Sequence, residues 1–562
     1  MREKKRGYGC AVTAVIVGLV LLVAGALAGW FVYVRYMPSN ELADKSKLFG
    51  IKSGQVAVVL NNELQETKGI YEDGQVYLPV SWVNEQLNQR FYWDEGEALL
   101  VYTLPDSIVY ADASTVGNAG PLLKVKDNMA YLSLGLVQNY TDIRAEAFDT
   151  SQIKRVYIDS SWEPVEQAEV KKDGKVRAKG GVKSPVVTDA LKGDVVTVLE
   201  KMEKWSKVRT QDGYMGYIEN RKLKDLEPGT PESKFVEPVY TNISMEEPVV
   251  LAFHQVFNRD ANGKLKELLA ASKGVNVVVP TWFVVTDDKG NYESLASKDY
   301  VEQAHAMGLK VWAMLNNVST KESAAVNTRA LMGSTSNRKK LIAGLMAEAD
   351  TYGFDGINLD FEGLKSEAGP HYVQFIRELS VACREKGLVL SVDNYVPSAY
   401  TSFYNRKEQG VVADYVIIMG YDEHYAGGEA GSVASATFVE NGIKDTLSQV
   451  PKEKVINGVP FYTRVWTVQG GKTTSKTYGI SDAKKWVEEN QVDLVWDDAV
   501  GQYVGEVINA DGEQYIWMEE ERSMELKMDL IKEYDLAGVA CWKLGLESPE
   551  IWDVVSQVGK TK

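Results

Sequence analysis

Residues Phe354 to Leu364 read FDGINLDFEGL. Taken as a strand, the run alternates from Ile357 onward. Ile357, Leu359 and Phe361 point one way, and Asn358, Asp360 and Glu362 the other. Two carboxyls one inward step apart lie roughly 6–7 Å from each other along a strand. Held away from water at that spacing they repel, and one keeps its proton to higher pH. A glutamic acid with raised proton affinity is what general-acid chemistry near neutral pH requires, and Glu362, at the end of the run, suits that role. An amphipathic surface strand would show the same alternation. The neighbouring elements decide between the two.

From about residue 235 onward, apolar runs alternate with helical stretches. Eight runs read as strands: 248–253, 274–285, 309–315, 354–362, 388–396, 413–421, 454–462 and 536–544. Helical patterns such as Arg338–Tyr352 and His371–Lys386 lie between several of them. Continuous apolar strands separated by helices indicate a parallel sheet covered on both faces. Eight such units predict a (β/α)₈ barrel, an α/β fold, over 235–562. The long gap before the last strand predicts a small α+β insertion at about 466–535, with strands near VDLVWDD and EQYIWME. In a barrel the helices take Ile357, Leu359 and Phe361, so Asn358, Asp360 and Glu362 face the interior. Glu362 then reaches the C-terminal mouth, where barrel enzymes hold their active sites. Asp355 opens the strand far from that mouth and reads as structural. His254 and His424 fall near strand ends and read as packed or solvated.

DGINLDFE resembles the DxxDxDxE strand motif of glycoside hydrolase family 18, with Asp355, Asn358, Asp360 and Glu362 at the four motif positions. MGYD, Met419 to Asp422, resembles that family's MxYD on the sixth strand. GVPFYTRVW, Gly458 to Trp466, resembles its seventh-strand segment, and GVACW ends in Trp542, where the family places a tryptophan under the sugar. IWMEEERSMELKMDLIKEYDLAGVACWKLG resembles the bacterial cell-wall and spore-cortex branch. The chain departs from the motif at Asn358, where aspartate is common; hydrogen bonding is kept and a charge is lost. The resemblance implies substrate-assisted, retaining hydrolysis beside N-acetylglucosamine. Glu362 would be acid and base, Asp360 the partner of the acetamido N–H, and Tyr421 the donor to the acetamido carbonyl. Trp542 would be the floor of the sugar site, with Asn358, Met419, Asp422 and Arg464 as pocket or supporting residues. No cofactor or metal is implied.

The first half of the chain bears on where such an activity would act. Arg2, Lys4, Lys5 and Arg6 precede an uncharged run from Gly7 to Val34, long enough for a membrane-spanning helix. The order basic-then-apolar predicts a single-pass anchor over 1–39, its N-terminus inside and the remainder outside the cell. Ala26-Leu27-Ala28 leaves a cleaved signal peptide as the rival. Residues 50–160 contain a repeat: VYLPVSWVNEQL and AYLSLGLVQNYT each open a strand–helix–strand unit. This duplicated α+β module resembles the copper amine oxidase N-terminal-like stalk modules of bacterial surface proteins. Residues 168–226 carry short alternating runs punctuated by Gly and Asp, a small all-β barrel. They resemble the bacterial SH3-like domain, which implies either binding of wall peptides or spacing.

A net charge of −16 argues against nucleic acid as a partner. Three cysteines, far apart, and four scattered histidines present neither a disulfide framework nor a metal-ligand spacing. Three readings stay open from sequence: a membrane-anchored enzyme acting on peptidoglycan, a hydrolase of chitin or chito-oligosaccharides, and a glycan-binding or assembly protein of the envelope without turnover.

Overall fold

The computed structural model describes residues 9–149, 153–318 and 326–560. It divides into two compact units: Met1–Phe91 with Ala111–Glu237, and Tyr92–Tyr110 with Pro238–Lys562.

The first unit begins with a helix, Gly9–Tyr36, whose stretch Val12–Tyr36 is long and apolar enough to cross a membrane. Its large apolar side chains, Leu22 and Trp30 among them, are exposed. The repeated runs form Gln75–Pro79 with helix Val80–Gln86, and Met129–Ser133 with helix Leu134–Tyr140. Both strands lie side by side in one seven-stranded mixed sheet. The all-β segment is a second seven-stranded sheet, antiparallel throughout, around a core that includes Val176, Val198, Val208 and Ile218.

In the second unit all eight predicted strands appear and pair in parallel: β1 Val249–His254, β2 Val277–Pro280, β3 Lys310–Asn316, β4 Gly356–Asp360, β5 Val389–Tyr395, β6 Tyr415–Met419, β7 Val455–Pro460 and β8 Gly538–Trp542. Pairing of β2 with β3 and of β1 with β8 closes the sheet into a barrel. Alternation sorts the side chains. Ile357, Leu359 and Phe361 join the shell that packs against the helices, while Leu251, Phe253, Trp312, Met314 and Ile417 fill the interior. Gly356 has no room for a side chain: a Cβ there would stand 2.7 Å from the Trp312 ring and 2.8 Å from the Val389 carbonyl oxygen. The helices before β4 and β5, Thr335–Tyr352 and Gly369–Lys386, each end on a left-handed glycine, Gly353 and Gly387, which reverses the chain into the strand.

The insertion between β7 and β8 is larger than the two strands predicted. Leu494–Asp497 and Gly512–Met518 are there, but three further strands, Tyr462–Gln469, Lys472–Gly479 and Gln502–Asn509, complete a five-stranded antiparallel sheet. Helix Ile480–Glu489 covers it, with Ala483 and Trp486 packed on Val465 and Ile516. The edge strand KTTSKTYG is too polar to announce itself, and its one neighbour, Tyr462–Gln469, holds it by backbone pairing.

Residues 92–110 belong to the second unit rather than to the module that surrounds them in sequence. The Asp94 carboxyl accepts from the Thr335 backbone N–H and hydroxyl, both at 2.7 Å. Tyr92 lies beside Arg338, a fully buried guanidinium whose Nη2 is 2.8 Å from Glu378 Oε1. Arg338 also donates to the Met332 carbonyl and the Thr335 hydroxyl. Removing one partner of such a pair strands the other charge in the interior. Arg338→Met is therefore expected to lower stability by about 3–5 kcal/mol, read as a fall in the urea midpoint of the barrel.

Candidate active site

Strand β4 delivers Asn358 and Asp360 to the barrel interior, and Glu362 follows two residues past Asp360 at the C-terminal mouth. Asn317, just beyond β3, pins the Glu362 backbone from both sides: its Oδ1 accepts the Glu362 N–H at 2.8 Å and its Nδ2 donates to the Glu362 carbonyl at 2.8 Å. The half-buried Glu362 carboxyl accepts at Oε2 from the Tyr395 hydroxyl at 2.9 Å.

Asp360 is deeper, 8% exposed, and its Oδ1 has no hydrogen-bond partner among the described residues. Burial, with the Glu362 charge adding to it, pushes the Asp360 carboxyl up to about 8. Asn358 is fully buried; its Nδ2 donates to Ser391 Oγ at 3.0 Å and to Asp393 Oδ1 at 2.8 Å. Asp393 is itself pushed well above the usual carboxylate range, by burial first and then by Asp360, with the Asn358 N–H opposing. Both of these deep carboxyls are thus displaced upward.

A cavity of about 470 Å³ opens at this mouth, within the range of small-molecule sites. Asp360, Glu362 and Trp542 line it together with Met314, Asn316 and Phe257. Trp542 ends β8, half-buried, with its ring 5.2 Å from that of Phe253. Tyr421 follows β6 and is half-buried near the carboxyls. Its phenol is held far above its ordinary range by burial, then by the charges of Asp393, Asp360 and Glu362, with Tyr462 contributing. Gly458 makes room for it: a Cβ there would come within 3.1 Å of the Tyr421 ring and 2.7 Å of the Ile418 carbonyl oxygen.

Asp422, at a left-handed φ of 58°, accepts from the Tyr462 hydroxyl at 2.6 Å and lies 3.9 Å from Arg464 Nη2. Both partners come from the first strand of the insertion. Met419 closes β6, in register with Tyr395 and Gly458.

The remaining candidates lie elsewhere. Asp355 sits where β4 begins, bound by His305, Lys310 and the Val311 N–H. His254 is buried against Tyr300, its ring nitrogen 3.1 Å from that hydroxyl, and burial and the Lys543 charge push it down to about 4. His424 bonds the Ser432 carbonyl. Among the described residues no group of three or more His, Cys, Asp or Glu is placed to hold a metal ion.

Sequence reasoning missed Asn317, Asp393 and Tyr395. Two of these carried a usable signal: in LVLSVDNYV, Ser391, Asp393 and Tyr395 share the inward face, the same alternation that marked β4.

The family model "Glycosyl hydrolases family 18" matches residues 213–547, more than half of the chain, and "Bacterial SH3 domain" matches 172–224. A closed parallel barrel with acidic residues at its C-terminal mouth is the architecture of a barrel glycosidase. The chain belongs to glycosyl hydrolases family 18.

Among curated proteins it is 27% identical over 256 residues to an uncharacterized glycosylase, YvbX, of Bacillus subtilis (strain 168), covering 44% of this chain and 74% of that one. It is 27% identical over 237 residues to the cortical fragment-lytic enzyme of the same organism, covering 41% of this chain and 55% of the enzyme. Among solved structures, a chitinase from Chromobacterium violaceum superposes with TM-score 0.51 at 25% identity, over 56% of this chain and 100% of that one. The spore cortex-lytic enzyme SleL of Bacillus cereus has the same fold, with TM-score 0.50 at 20% identity over 60% of this chain and 78% of that one.

Proposed function

We propose that the protein is a membrane-anchored glycosidase that cuts β-1,4 bonds next to N-acetylglucosamine in peptidoglycan, with retention and with help from the substrate's own acetamido group. The observation that carries this reading is Asp360 Oδ1. It is a buried acceptor with no partner among the described residues, on a carboxyl that lines the cavity alongside Glu362 and Trp542. An acetamido N–H is a donor of the kind such an atom lacks.

Glu362 gives its proton to the leaving oxygen while the acetamido oxygen closes on the anomeric carbon. Before that step, as the sugar binds, the proton that Asp360 carries in the empty site passes to Glu362, so that Asp360, as the anion, holds the N–H and offsets the positive charge of the oxazolinium. Tyr421 donates to the acetamido oxygen and sets it for attack. Glu362, now a carboxylate, takes a proton from the water that opens the ring and is restored. Trp542 is the apolar floor. Asn358 donates to the deep Asp393 carboxyl, and Met419, Asp422 and Arg464 support the turn that carries Tyr421.

Peptidoglycan is favoured over chitin by the likeness to cortical fragment-lytic enzymes and by the bacterial SH3 domain, proposed to bind wall peptides or to act with residues 50–160 as a spacer. Helix Gly9–Tyr36 is proposed as the anchor, with the barrel outside the cell. The likeness to a whole chitinase chain supports chitin oligomers as the second substrate class. Mass spectrometry of digests of purified peptidoglycan and of chitin oligomers tests the reading. Fragments with reducing N-acetylglucosamine from the wall are expected. Cleavage of chitin oligomers alone would shift the substrate, and binding without cleavage of either would remove the enzyme.

A further inference from the structure

Tyr395 ends β5, and its hydroxyl makes two contacts with opposite roles. It lies 3.1 Å from the Gly363 backbone nitrogen and 2.9 Å from Glu362 Oε2. A backbone N–H only donates, so the hydroxyl oxygen accepts there. Its single proton is left for Oε2. Gly363 adopts a φ of 64°, left-handed, at the turn that makes this contact.

Tyr395 is itself fixed. Arg406 Nη2 donates to its carbonyl at 2.8 Å, and its ring stands edge-on to Tyr404 at 6.1 Å. The Tyr404 hydroxyl in turn donates to the Phe361 carbonyl at 2.9 Å, on the residue before Glu362. Burial, then the Glu362 charge, holds the Tyr395 phenol above its ordinary range, so it serves as a donor throughout the working pH.

We propose that Tyr395 is a positioning residue for the acid–base step: by donating to Oε2 it reserves that oxygen as an acceptor. Oε1 is then the atom that passes the proton to the leaving oxygen and later takes it back from water. This rests on Glu362 being the acid, and it assigns which oxygen of that carboxyl acts.

The test is Tyr395→Phe in the full chain, assayed on an N-acetylchito-oligosaccharide, whose sugar leaving group needs the proton. Phenylalanine keeps the ring packing and loses only the hydroxyl. The expected result is a fall in kcat of about ten-fold with KM changed less than about two-fold. The alkaline limb of kcat/KM should move up by about half a pH unit or more, because the carboxylate has lost a donor that favours its charged form. On a Glu362→Gln background the same change should cost less than about two-fold, since its effect runs through Glu362. A pH profile overlaying that of the wild type, or an undiminished ten-fold loss on the Glu362→Gln background, overturns the assignment. Wild-type turnover by Glu362→Gln alone would defeat the reading of Glu362 itself, and this assignment with it.

Discussion

Glu362→Gln is expected to fold like the wild type and to lose about 10²–10⁴-fold in kcat, the range that a positioned proton donor supplies. The side chain keeps its size and an oxygen for the Tyr395 hydroxyl, and the Asn317 clamp acts on the backbone, which does not change. A melting temperature within about 2 °C of the wild type is therefore expected. The loss should depend on the leaving group. Sugar alkoxides need the proton and nitrophenolate scarcely does, so kcat/KM should fall far less on a nitrophenyl glycoside than on an oligosaccharide. Equal losses on both would mean that Glu362 does not protonate the leaving oxygen.

Asp360→Asn is expected to lower kcat by about 10²–10³-fold, as removal of a charge that stabilises a developing cation does, and at the same time to stabilise the barrel. The sign follows from the displaced carboxyl. Asp360 holds its proton up to about 8 in the folded protein, whereas an unfolded aspartate loses it near 4. Between those values the folded state binds more protons than the unfolded one, so stability falls as pH rises through the window. At about 1.4 kcal/mol per pH unit the ceiling is about 6 kcal/mol, and sharing with Asp393 brings it to a few. The amide variant lacks this penalty. Its advantage in urea midpoint should be small at pH 5, grow to pH 8 and then level off. An advantage independent of pH would mean that Asp360 is ionised in the empty site.

Such a penalty is the mark of a residue kept for chemistry rather than for folding. Asp393 and Asn358 show how the fold limits it. Asn358 places a neutral N–H against one of two neighbouring buried acids, where the family motif commonly has a third carboxyl. Opposing groups cannot all be ionised at that depth, and an amide at 358 removes one of the competitors.

The sequence by itself determined the order of eight strands, the inward and outward faces of β4 and the identity of the residues at its mouth. These are local properties: a period of two, a helix between strands, and a glycine at the reversals into β4 and β5. They survive whatever the neighbours are. What the tertiary structure alone decided is which distant groups meet that strand. Asn317 and Tyr395 reach Glu362 from 45 and 33 residues away, and Tyr462 reaches Asp422 from 40. Tyr92 reaches Arg338 across 246. Such meetings depend on barrel closure and strand register, which arise from packing summed over the whole unit, and no periodicity in a short window records them.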